Sequence, residues 1–136
     1  MGNRIALNST YEHQFSFSQD DVINFAKVTG DKNPIHLDEE YARNTAFKKR
    51  ILHGFLGASV FSKVFGTLFP GEGTIYLRQN VTFHKPMYAG IVYEARFTII
   101  ETIPEKHRAL VKTEIFNGEK ELVISGEALI MHHNIF

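Results

Sequence analysis

The chain contains no cysteine and no tryptophan in 136 residues, and its charges cancel, with 15 Lys plus Arg against 15 Asp plus Glu. Without cysteine there is no disulfide framework, no thiolate zinc site and no cysteine nucleophile, which fits the cytoplasm. A net charge of zero offers no basic face for nucleic acid. No charged leader followed by an apolar run opens the chain, so no secretory signal is expected. The most apolar stretch falls short of the ~20 residues a bilayer needs and carries Lys63 inside it, so no membrane span is expected either. Repeats, linkers and low-complexity tracts are also missing. The length fits one domain, residues 1–136, with a real hydrophobic core. Twelve phenylalanines make that core bulky.

That apolar stretch, HGFLGASVFSKVFGTLF from His53 to Phe69, is the expected centre of the fold. Wound at the helical period, its apolar residues point in nearly every direction, as in a helix surrounded by other structure. At about 1.5 Å per residue it is roughly 25 Å long. Gly54, Gly57 and Gly66 let another backbone come close, and Pro70-Gly71-Glu72-Gly73 stops the helix.

Before it, Thr10 to Phe17 alternates as a first strand. Ser18 and Asp21 form a capping-box pattern that opens a helix through Val22, Phe25, Ala26 and Val28 to Gly30. A turn-rich segment, Gly30-Asp31-Lys32-Asn33-Pro34-Ile35-His36, follows, then a short acidic helix over Asp38 to Thr45. After the centre the period becomes two. Ile75, Leu77, Val81 and Phe83 share one strand face, with Tyr76, Arg78, Asn80, Thr82 and His84 on the other. Ile91 to Glu101, Arg108 to Phe116 and Leu122 to Met131 complete the strands, the last two joined at the hairpin signal Asn117-Gly118. The fold class is α+β: a curled antiparallel sheet around a long central helix. Its edge strands make a homodimer the natural assembly.

Asp31 and His36 can both face one small site across the Pro34 turn. Histidine titrates near neutrality, and a nearby carboxylate can orient it or share a water with it. Taken by spacing alone, the pair is better read as turn capping by Asp31 and an ordinary half-buried His36. Gly54 stands at the helix start, where free amides and the dipole suit an oxyanion; close packing explains a glycine there as well. Ser62, a little over two turns on, lies on roughly the same side and can reach Asp31, though mid-helix serines commonly bond the preceding turn. Phe61 and Phe65 lie near that side too. No HExxH-type ligand pair is present and His132-His133 sits at an end expected to fray, so no metal site is expected. Lys48-Lys49-Arg50 reads as a solvated charge run, and no glycine-rich phosphate loop is present.

The stretch Phe25 to His36, with Ala42 downstream, resembles the signature of the MaoC-like hydratases, hotdog-fold enzymes that include the (R)-specific enoyl-CoA hydratases. The resemblance continues through Ile51 to Leu56, Gly73 to Gln79, Phe83-His84-Lys85-Pro86 and Gly126-Glu127-Ala128. The chain's length is similar to that of the single-hotdog forms. Lys49-Arg50 stands where many relatives have proline, and Ile91 where aspartate is common.

The resemblance implies that Asp31 and His36 are the catalytic pair, that the Gly54 amide holds the thioester oxygen, and that Ser62 and Asn33 support Asp31. It implies reversible hydration of a trans-2-enoyl-CoA to the (R)-3-hydroxyacyl-CoA. Bulky Phe61 and Phe65 would then close a short acyl pocket. No cofactor is expected beyond the coenzyme A of the acyl-CoA thioester substrate, and the assembly is a homodimer or dimer of dimers. The neighbouring readings are a carrier-protein dehydratase of fatty-acid synthesis, a hotdog thioesterase and a non-catalytic acyl-CoA binder. A thioesterase commonly has an acidic residue on the central helix, and residues 53–69 contain none.

Overall fold

The capping box forms as expected and sets the first helix. In the computed structural model, which describes residues 4–136, strand β1 (Thr10–Phe15) leads into α1 (Gln19–Thr29). The Ser18 hydroxyl accepts from the Asp21 amide at 3.1 Å, and the Asp21 carboxylate accepts from the Ser18 amide at 2.9 Å. Gly30 ends α1 in the left-handed region, φ 80°, where a side chain would be strained. Two short helices follow, α2 (Pro34–Leu37) and α3 (Glu39–Arg43), then the long α4 (Gly54–Thr67). Only α2 was not anticipated; Pro34 at its first turn is pre-set for helix, and Asn33 caps it.

The strands β2 (Ile75–Gln79), β3 (Thr82–Phe83), β4 (Tyr93–Ile103), β5 (Arg108–Phe116) and β6 (Leu122–Met131) join β1 in one antiparallel sheet, ordered β1-β4-β5-β6-β2, with β3 also on β6. The sheet is open, and α4 packs on its inner face in the expected hotdog arrangement. That face reads off the alternation: Tyr93, Ala95, Phe97 and Ile99 on β4, and Ala109, Val111, Thr113 and Ile115 on β5, are all buried.

Three expectations change. First, α4 is not enclosed all round. Leu56, Gly57, Val60, Phe61, Val64 and Phe65 are buried, while Phe55 is 70% exposed and Ser59, Ser62 and Lys63 face outward. The sheet curls round one side only, so half the helix perimeter stays open. Second, the strand expected through residues 75–84 is two strands with a register shift between Tyr76 and Arg78. A bulge moves later side chains to the opposite face, so Arg78 does not continue the face of Tyr76, whose ring packs edge-on against Phe65 at 5.2 Å. Third, the chain end is pinned rather than frayed. The His132 Nε2–H donates to the Glu72 carbonyl at 2.9 Å, the His107 Nδ1–H donates to the Phe136 carbonyl at 2.8 Å, and the Phe136 ring is buried.

Phe61 and Phe65 carry the helix–sheet contact. Their rings meet Phe97 edge-on at 5.8 and 5.3 Å. Replacing Phe65, only 1% exposed, with alanine should cost about 3–5 kcal/mol. Chemical denaturation of Phe65→Ala beside the parent measures this, and a loss below about 1 kcal/mol would show that the core collapses around the gap.

Candidate active site

Local chemistry builds the Asp31–His36 turn. The Thr29 hydroxyl donates to the Phe25 carbonyl at 2.7 Å and accepts from the Asp31 amide at 3.2 Å, carrying the end of α1 into the loop. The Asn33 amide donates to Asp31 Oδ1 at 3.4 Å, and the Asn33 carbonyl oxygen of its side chain accepts from the Ile35 amide at 3.2 Å. Asn33 therefore supports the carboxylate through its backbone and starts α2 with its side chain. The α2 turn then carries His36 inward, where it is 8% exposed. Gln19 Nε2 donates to the His36 carbonyl at 2.9 Å.

His36 is held in one tautomer. Its Nδ1–H donates to the Ile51 carbonyl at 2.8 Å, leaving the Nε2 lone pair free to accept a proton. Burial lowers its pKa from the ordinary histidine value; the nearby His53 ring acts the same way, while the Ile51 bond and Asp31 oppose the shift. The imidazole is thus kept neutral near pH 7, ready to act as a base.

A carboxylate oxygen of Asp31 and ring nitrogens of His36 and His53 lie within 4.8 Å of one another. These residue types can hold a metal, but the rings are stacked, centroids 3.9 Å apart and planes inclined by 28°. In-plane lone pairs from such rings do not converge within the roughly 2.0–2.1 Å reach of a zinc–imidazole bond. The arrangement suits a proton-transfer pair better than a metal.

Gly54 opens α4 directly beside this pair. His53 precedes it and makes no side-chain cap, and no hydrogen bond engages the Gly54 or Phe55 amide among the described residues. A Cβ on Gly54 would collide with the Phe83 ring at 2.7 Å, so glycine is needed for this close approach. Two cavities meet at the helix start, both lined by His36, His53, Gly54 and Phe55. The smaller, about 300 Å³, reaches Asp31. The larger, about 480 Å³, has apolar walls from Leu52, Phe83, Met87 and Ile124, and His84 and Lys85 also line it.

Not every expected residue comes to this place. Asp31, Asn33, His36 and Gly54 do. Phe61 and Phe65 line neither cavity; they sit deeper, on Phe97, because helical spacing turns them toward the sheet. Ser62 is exposed on the open side of α4 and makes no hydrogen bond with Asp31 within the chain. Of the basic run, Arg50 pairs with Glu39 at 3.0 Å and Lys49 lies over the Tyr88 ring at 5.1 Å. Gln19, Thr29 and the His53 ring were not anticipated; their contacts span 17, 4 and 22 residues and only the Thr29 bond follows from local spacing.

The MaoC like domain family model matches residues 3–120. The chain belongs to the MaoC-like family. Among its relatives, the 3-hydroxybutyryl-CoA dehydratase of Methylorubrum extorquens is 42% identical over 83% of this chain and 71% of its own length. The (R)-specific enoyl-CoA hydratase of Rhodospirillum rubrum is 40% identical over 85% of this chain and 80% of its own length. The solved (R)-hydratase from Aeromonas caviae, involved in PHA biosynthesis, superposes with a TM-score of 0.91 at 34% identity, covering 94% of this chain and 97% of that one. The Aeromonas caviae enzyme shares the hotdog fold described above.

The lowered pKa of His36 has a consequence for stability. The unfolded chain binds the proton more readily than the native MaoC-like fold, so this contribution is complete above about pH 6.5 and lost as pH falls through the native value. His13, lowered by partial burial and by Lys63, acts in the same sense. Melting temperatures compared at about pH 7.5 and about pH 5.5 should fall less in His36→Gln than in the parent. Equal falls would remove His36 from the pH dependence.

Proposed function

We propose that this protein is an (R)-specific enoyl-CoA hydratase, a hydro-lyase catalysing reversible syn hydration of trans-2-enoyl-CoA. The observation that carries the reading is the pairing of a tautomer-locked, neutral His36 with the Asp31 carboxylate beside free amides at the start of α4. A single water at hydrogen-bonding distance of about 2.8 Å from each group spans a gap of this size. Asp31 accepts one hydrogen of the water and orients it; His36 Nε2 removes the other proton as the oxygen attacks C3. The electron pair of the C2–C3 double bond moves through C2 toward the thioester oxygen, where the Gly54 amide and the positive end of the helix hold the charge. The His36 imidazolium, stabilised by Asp31, returns its proton to C2 on the same face, and the double bond is consumed. Atoms and charge balance without a cofactor; coenzyme A belongs to the substrate.

The acyl chain runs into the larger cavity, against Phe83, Met87 and Ile124. Short chains of about crotonyl size fit a cavity of about 480 Å³ with these walls; one methylene in such a pocket changes discrimination by ~1–3 kcal/mol. The free face of α4, with exposed Phe55, and edge strand β2, with exposed Ile75 and Leu77, support a homodimer or dimer of dimers. Ser62 stands on that open face, so a second copy decides what it bonds. No helix among the described residues is long and apolar enough to cross a membrane.

Loss of the conjugated enoyl-thioester absorbance with crotonyl-CoA, followed by stereochemical analysis of the alcohol, tests the reaction. Asp31→Asn and His36→Ala should each lower kcat by ~10²–10⁴-fold with the fold intact. Near-normal turnover in either folded variant removes that residue from the mechanism, and faster turnover of the acyl-carrier-protein thioester replaces this reading with the carrier-bound dehydratase. Sedimentation equilibrium should give a dimer for the parent and a monomer for Leu77→Lys, which puts a charge on the strand edge. A monomeric parent overturns the assembly.

A further inference from the structure

His53 takes no part in the proton transfers above, yet its ring is 2% exposed at the junction of the segments that form the site. Its Nε2–H donates to the main-chain carbonyl of Asp31 at 2.9 Å. One face of the ring lies on His36, and the ring also meets Phe25 with centroids 4.8 Å apart. Nδ1 is buried without a partner among the described residues. Leaving a buried nitrogen unpaired is destabilising, and an apolar ring would fill this space without that penalty. Helix capping does not account for the imidazole, because His53 makes no side-chain cap bond.

The remaining hydrogen bonds at Asp31 are local to its own loop: the Thr29 hydroxyl and the Asn33 amide. Only the His53 bond fastens Asp31 to α4 among the described residues. Gly54 is the next residue in the chain, so one short stretch sets both the place of the carboxylate and the place of the oxyanion donor. We propose that His53 is a positioning residue, whose Nε2–H ties the Asp31 main chain to the start of α4. This rests on the hydratase reading for its kinetic consequences, since a misplacement of about 1 Å at a reacting group can cost ~10²-fold in rate. The second imidazole also opposes positive charge on His36. The other titratable groups facing His36 are Asp31 and, along the larger cavity, His84 and Lys85; Asp31 keeps its place only where the tether is kept.

Two variants separate the ring from the bond. His53→Phe keeps an aromatic face and loses the donor, while His53→Gln keeps an N–H donor of similar reach and loses the ring. In His53→Phe, kcat for crotonyl-CoA should fall ~10- to 100-fold, with KM within about twofold. His53→Gln should recover most of that loss. In His53→Gln, where the tether keeps Asp31 in place, the acid limb of kcat against pH should move to higher pH, because a group that lowers the His36 pKa is gone; a merely structural role would leave that limb in place. Parent-like kcat in His53→Phe overturns the proposal, as does a His53→Gln variant as slow as His53→Phe or with an unmoved limb. Should neither variant fold, long-range ¹H–¹⁵N spectra of the unmodified protein decide: the Nε2–H tautomer at His53 is expected, and the Nδ1–H tautomer overturns the tether. An inactive parent showing the Nε2–H tautomer would sink the hydratase reading and leave the tether standing.

Discussion

Burial of one side of α4 against the sheet is the constraint on which the rest of the molecule depends. Val60, Phe61, Val64 and Phe65 lie along one stripe of the helix and meet the inward residues of β4 and β5, with Phe97 between the two phenylalanine rings. Each such side chain contributes roughly 1.5–3 kcal/mol on leaving water, far more than the helix gains from propensity with three glycines in or beside its path. Once that stripe is fixed, so is the position of the helix start. Gly54 then lies against Phe83 and lines both cavities.

The Asp31–His36 loop is held against this rigid element from outside. It is exposed, short and kinked, and its own hydrogen bonds organise it only locally. Two imidazoles bridge the difference in rigidity: His36 reaches the Ile51 carbonyl just before α4, and His53 reaches back to the Asp31 carbonyl. Each ring spends one nitrogen on a backbone carbonyl, which fixes its tautomer and orientation. The site therefore consists of a precise carboxylate and a precise lone pair on mobile-looking sequence, stapled to a helix that cannot move without opening the core.

One side of α4 remains open, and this follows from the same packing. A six-stranded sheet that is not closed covers one helix face only. The exposed Phe55, Ile75, Leu77 and Phe83 collect along that uncovered side and the adjoining edge, so the surface that the fold leaves unfinished is apolar and contiguous with the site.

Much of this was determined by the sequence alone. Ser18 and Asp21, Gly30, Pro34 and the Asn117-Gly118 hairpin act within a few residues of themselves, through capping, φ and turn chemistry, and they stand where local rules put them. The alternation on β4 and β5 was legible for the same reason, since period is a local quantity; the Asp31-to-His36 turn read by spacing alone as backbone capping, and only its resemblance to the MaoC-like signature marked it as a site. Tertiary structure decided the rest. Which face of α4 is buried depends on how far the sheet curls; the bulge at Tyr76–Arg78 depends on the register of β6, about fifty residues later. The stacking of His53 on His36 and its bond to Asp31 join residues 17 and 22 positions apart, and no local pattern encodes a contact that exists only once two separate segments have been packed against one another.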